Sequence, residues 1–159
     1  MTTRPYEGNL NAYYVPTIAD PAAPTDTEIT AGVPLTPGLV ATGVSPNHTE
    51  NTVSTPMLSG FIGQNIGTEG LTFQLQFIYD PDTTETDDIW GNFDTRGKAG
   101  YLMLVPDGAS AVGERAEVYS ATFGRRKGVQ SAQDTDQQFT VMVAVNADYT
   151  DDAIIAAGA

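Results

Sequence analysis

The chain contains no cysteine, so no disulfide framework, zinc knuckle or thiol chemistry is open to it. Histidine is almost as scarce. His48 is the only one; it lies in a polar stretch with no nucleophile elbow nearby, and reads as a solvated side chain rather than a catalytic base or metal ligand. Long apolar runs are missing, and none approaches the roughly 20 residues of a membrane span. Met1 to Glu7 carries no apolar core of a secretory signal, which makes Asn47-His48-Thr49 a chance match to a glycosylation sequon. These absences predict a soluble protein made in a cytoplasm. Positive charge is also rare: 7 Lys and Arg stand against 20 Asp and Glu, for a formal net charge of −13. That balance excludes wrapping of nucleic acid through phosphate contacts, which needs clustered cations. Before Arg96 the only basic residue is Arg4; the rest fall between Arg96 and Lys127.

What is present points to β-structure. A length of 159 residues fits one domain, 1–159, large enough to bury a core without staples. The first 36 residues read as a turn-rich N-terminal arm. Prolines from Pro16 to Pro56 interleave with glycines from Gly32 to Gly70, which argues against long regular elements there. One short helix is predicted where Thr25-Asp26-Thr27-Glu28 forms a capping box and Gly32 a stop. Residues 44–70 are polar and weakly apolar, and read as a long loop.

The second half is more regular. Leu71, Phe73, Leu75, Phe77 and Tyr79 alternate with polar residues, predicting a half-buried strand with Thr72, Gln74 and Gln76 on the opposite face. Thr86 to Phe93 predicts a short amphipathic helix with Asp87 and Asp88 at its start and Ile89, Trp90 and Phe93 inward. Further strands are predicted over Tyr101–Val105, Ala116–Phe123 and Phe139–Val145, the last with weakly polar residues on its second face, as if something covered both. Asp151 to Ala159 reads as a frayed C-terminal tail. The fold class is therefore mostly β: an antiparallel β-sandwich or open barrel with one short packed α-helix, a long loop and extended terminal arms.

Chemistry-bearing motifs are few. Asp80 to Asp88 holds enough carboxylates to attract calcium, yet lacks the glycine and terminal glutamate of an EF-hand loop, and reads as a solvated turn before a helix. No catalytic residue, metal ligand or cofactor is singled out. Gly63-Gln64-Asn65-Ile66-Gly67 lacks the strand–glycine–helix setting of a phosphate cradle. The sharpest local feature is Gly124-Arg125-Arg126-Lys127-Gly128, the only basic run in an acidic chain. It reads as an exposed turn or as a contact between subunits, where charge sets register and partner choice; nucleic-acid binding comes third, because the surrounding field is negative. Arg125, Arg126 and Lys127 are the candidate cations of such a contact; Asp82, Glu85, Asp87 and Asp88 are the candidate carboxylates.

Several segments resemble tail tube proteins of long-tailed bacteriophages. They are Asn11 to Ile18 running into Asp20-Pro21-Ala22-Ala23-Pro24-Thr25 and Glu28-Ile29-Thr30-Ala31-Gly32, then Gly97 to Leu102, Glu117-Val118-Tyr119, Gly124-Arg125-Arg126, and Gln138 to Val141. They span most of the chain in the right order. The resemblance implies a β-sandwich with a flanking helix, built into hexameric rings that stack as a hollow tube in the virion tail. It further implies no enzymatic activity and no cofactor, with tape-measure, tail terminator and distal tail proteins as partners. DNA would pass through the bore without specific binding, Thr72, Gln74 and Gln76 would face that bore or a neighbour, and no membrane is involved. A bore rich in negative charge would repel phosphates. Two other classes fit the composition: another assembly protein, such as a capsid decoration protein or secretion-system tube subunit, and a carbohydrate- or calcium-binding β-sandwich.

Overall fold

The computed structural model describes residues 10–56, 60, 62–106, 111–129, 136–146 and 149–158. In chain order, β1 (Asn11–Val15), α1 (Asp26–Thr30) and β2 (Val33–Pro34) lead through a 3-10 turn (Thr36–Gly38) to β3 (Leu39–Pro56) and β4 (Ile62–Ile78). Then come α2 (Thr84–Asn92), β5 (Lys98–Val105), β6 (Arg115–Phe123), β7 (Lys127–Val129), β8 (Gln138–Val145) and β9 (Thr150–Ile154). The strands form one sheet in the order β2-β1-β5-β6-β8-β4-β3, with β7 beside β8 and β9 beside β6. Every pairing is antiparallel.

Alternation places the core as the sequence predicts. Leu71, Phe73, Leu75 and Phe77 of β4 point inward with Phe139, Val141 and Val143 of β8 and Tyr119, Ala121 and Phe123 of β6. The sheet curls around them and closes on Phe93, just past α2. That ring stands 6.0 Å from Tyr14 of β1, 5.5 Å from Phe123 of β6 and 6.0 Å from Phe77 of β4. This is the open-barrel form of a β-sandwich, with α2 as its plug.

A second core lies on the other face of β1, β5 and β6. Val15, Met103, Val105, Ala116 and Val118 meet Ile18, Ile29 of α1, Ala153 and Ile155 there. Here the sequence reading needs correction. Residues 151–158 are not a frayed tail: β9 pairs with β6, and Ile155 is buried. The backbone of this segment bonds to Pro24, Asp26 and Glu114. Its partner face is formed by residues far upstream, so no local pattern announced it. The doubly covered strand is accordingly β5, whereas β8 is covered within the subunit on one face only.

Both helices form, each at a place the sequence marked. In α1 the capping box is complete: the Thr25 hydroxyl accepts from the Glu28 N–H at 3.2 Å and the Glu28 carboxylate from the Thr25 N–H at 2.9 Å. The N-terminal 36 residues are also more than an arm, because β1 lies inside the sheet between β2 and β5; residues 1–9 fall outside the described residues. Residues 44–70, expected as a loop, are instead the distal halves of β3 and β4, although 57–59 and 61 lie outside the described residues. Only Thr72–Ile78 of β4 also pairs with β8, so beyond Leu71 the two strands run on as a bare ribbon. With neither face against a core, a ribbon needs no alternating apolar residues. Pro46 is tolerated because β3 is the edge strand.

Candidate assembly surface

The face of β4, β8 and β6 turned away from the core is open. It carries Thr72, Gln74 and Gln76 beside Thr140, Met142 and Ala144, with Ser120 and Thr122 beyond. Met142 is 52% exposed. Some of the polar side chains of this face pair with one another: Gln76 donates to Gln138, and Asn146 links Ser120 and Thr122 at 3.1 Å to each. Thr72, Gln74 and Gln76 thus share one uncharged surface, outside the core as the alternation required.

At one end of this face a cleft of about 720 Å³ has Thr122, Met142 and Ala144 on its floor and Arg96, Arg125 and Lys127 on its rim. The backbone around it is firmly held. Gly97, at φ +83°, turns the chain so that its N–H reaches the Phe123 carbonyl at 3.0 Å, carrying Arg96 to the rim. The Gly124 N–H bonds the Met142 carbonyl at 2.8 Å, and β7 ties Lys127 opposite Thr140. Among the described residues, none of the three rim cations has a carboxylate partner.

Arg126 differs from its neighbours. Its guanidinium lies 4.2 Å over the Trp90 ring and donates to the Trp90 carbonyl at 2.7 Å, while its N–H bonds the Phe93 carbonyl at 3.0 Å. Lys98 does the same work on Asn92, donating to its backbone carbonyl at 2.9 Å and its side-chain oxygen at 2.8 Å. The last turn of α2 carries no basic residue of its own, so these cations satisfy its carbonyls from outside. Of the basic run, then, Arg125 and Lys127 face solvent and Arg126 braces α2.

Asp82, Glu85, Asp87 and Asp88 are all exposed at the start of α2. Asp80 organises that start. It accepts from the Thr83 hydroxyl at 2.6 Å and the Asp82 N–H at 3.0 Å, and these bonds hold its carboxyl below the ordinary range. Among the described residues no group of three acidic or histidine side chains converges to hold a metal ion.

A second acidic patch, unmarked by the sequence, sits where the ribbon leaves the sheet. Glu50 and Glu69 face each other directly across the ladder. Glu69, loss of solvent, and then Asp151, Glu117 and Glu50 push the nearby Tyr149 phenol upward. His48 stands 3.7 Å from Glu69, both well exposed. Among the described residues, the Arg115 side chain reaches the Asp151 backbone carbonyl, at 3.2 Å, and no carboxylate. No local signal could have revealed this patch, because it depends on strand register.

Residues 1–158 match the family model for phage tail tube protein. The chain belongs to that family. It is a structural protein of a phage tail, and solved tail components share its fold. A sheath/tube terminator of the extracellular contractile injection system PVC, in the extended state, has a TM-score of 0.61 at 12% identity, over 92% of this chain and 95% of that one. A chain of the native gene transfer agent virion has a TM-score of 0.54 at 12% identity, over 92% and 98%. One from the C6-symmetric tail of the empty gene transfer agent particle has a TM-score of 0.50 at 13% identity, over 73% and 83%. No curated protein matches by sequence.

The family motifs acquire a physical reading in this tail tube chain. Tyr14 pairs with Leu102, and its hydroxyl donates to the Ala99 carbonyl at 2.9 Å. A Cβ on Gly100 would stand 2.5 Å from the Tyr14 ring, so the N-terminal motif and the Gly97–Leu102 motif interlock only with glycine there.

Proposed function

We propose that the subunit self-assembles into stacked hexameric rings that form the hollow tail tube, the conduit for DNA during infection, and that it catalyses no reaction. The carrying observation is the ribbon. A two-stranded hairpin is at best marginally stable alone in water, yet this one projects past the sheet with Val53, Ile62 and Ile66 exposed, Ile66 at 77%. Contact with a neighbouring copy supplies the cover it lacks. Sixfold rings are supported by the C6 symmetry of the gene transfer agent tail.

Thr72, Gln74 and Gln76, the β4 side of the neutral face, line the bore. Their hydroxyl and amides give phosphates nothing to grip, and the cations at the end of the face are held by carboxylates of the next copy, so DNA slides. This replaces the negatively charged bore that net charge alone predicts. Arg125 and Lys127 make contacts between copies, with carboxylates as their partners. Tape-measure, terminator and distal tail proteins meet the tube inside and at its ends. The protein acts in the virion tail after synthesis in the host cytoplasm.

Electron microscopy of the purified protein tests this. Hollow tubes are expected. Monomers under all conditions would overturn the reading. Discrete rings would favour a second reading, a tail terminator, which the fold likeness to the PVC terminator supports.

A further inference from the structure

We infer that successive copies join head to tail through one particular pair of surfaces: the cationic cleft of one subunit receives the Glu50–Glu69 base of the next subunit's ribbon. The inference rests on the proposed tube, and assigns its stacking contact.

The first argument is unrelieved charge on both sides. Glu50 and Glu69 are directly opposed across an antiparallel ladder, an arrangement that is destabilising in itself. Glu117 and Asp151 add to the same field at Tyr149. Among the described residues the basic side chains beside these carboxylates are His48, 3.7 Å from Glu69, and Arg115, which bonds the Asp151 backbone carbonyl instead of a carboxylate. Meanwhile Arg96, Arg125 and Lys127 crowd one rim with no carboxylate partner among the described residues. Each surface is therefore less stable alone than against the other.

The second argument is placement. Lys127 pairs with Thr140, which pairs with Gln76, so the cleft's cationic rim lies toward that end of β4. Glu69 lies seven residues away along the same strand, roughly 23 Å at strand rise. The two surfaces lie toward opposite ends of the part of β4 that is bound into the sheet. A translation along the strands brings one onto the other, and because the surfaces differ, repetition gives an open filament instead of a closed dimer. The apolar surfaces agree: Met142 and Ala144 on the cleft floor are exposed, as are Val53 and Ile66 just beyond the glutamates.

The acids at the start of α2 are the weaker partner. Glu85 and Asp87 occupy the first helical turn, where the helix dipole already favours negative charge. They do not depend on a neighbour.

The test is a charge swap. Glu50→Lys with Glu69→Lys, and separately Arg125→Glu with Lys127→Glu, are expected to abolish sedimentable polymer under conditions where the parent forms tubes. The chain carrying all four reversals is expected to assemble again. A gentler variant guards against misfolding: Glu50→Gln with Glu69→Gln relieves the opposed pair. It should leave the melting temperature unchanged or higher, yet raise the concentration needed for assembly about tenfold, the effect of one or two lost surface ion pairs. The contact is overturned if either reversal pair assembles like the parent, or if the fourfold swap stays monomeric while folded. If the parent itself forms no tube, the tube reading fails, and this contact with it.

Discussion

Single residues divide cleanly between those that hold the subunit and those that face outward. Phe77 is fully buried and stacks 5.1 Å from Phe139, whereas Gln74, three residues before it on β4, is exposed. Phe77→Ala should therefore cost about 3–5 kcal/mol in denaturant unfolding, while Gln74→Ala stays within roughly 0.5 kcal/mol. Similar losses at both would contradict the facing of the strand. The same distinction splits the basic run. Arg126→Ala removes a stacked guanidinium and a charged hydrogen bond to the Trp90 carbonyl, and should cost about 1–3 kcal/mol. Arg125→Ala should leave thermal unfolding nearly unchanged. Reversing all three cations at once would mix a folding defect with an assembly defect, so only Arg125 and Lys127 belong in an assembly test.

Elements were legible in the sequence wherever a local pattern was sufficient to define them. Period-two alternation marked β4, β5, β6 and β8, and capping chemistry marked α1. Thr25→Ala should cost about 1 kcal/mol by deleting that cap. The Glu28 carboxyl is held below its ordinary value of 4.5, chiefly by the Thr25 N–H and then by the Ala19 N–H. Its contribution is thus fully present above the unfolded value and is lost as pH falls through the folded one. Thermal stability should decline with acidification below about pH 4.5, less steeply in Glu28→Gln; identical pH profiles would count against the cap. Elements whose partners lie far away were hidden. The C-terminal segment reads as frayed because its apolar contacts, Ile29 and Val15, are more than a hundred residues upstream. The ribbon reads as loop because an exposed ladder needs no apolar face, and its register rests on backbone pairing with a few polar contacts such as Asn51 to Thr68 at 2.8 Å. Of the candidate site, Arg125, Lys127 and the outward β4 residues were legible. Arg96 and the opposed glutamates were not, since only folding brings them into place. Amide exchange in the distal ribbon should be fast in the free subunit and slow in tubes; equal rates would mean nothing covers it.

For the whole molecule, the deciding fact is a net charge of −13 on a chain proposed to lie beside copies of itself. Like-charged subunits repel, so the proposed assembly depends on where the few cations sit. Those of the cleft rim lie outside the subunit's own pairing, at one end of an uncharged face, while the ribbon leaves the other end uncovered. Cryo-electron microscopy of assembled protein tests this arrangement most directly. The account predicts hollow tubes with six copies in each end-on ring, each ribbon seated on the next ring and the Gln74 face lining the bore. Tubes whose ribbons hang free, or assemblies that turn the Gln74 face outward, would contradict it.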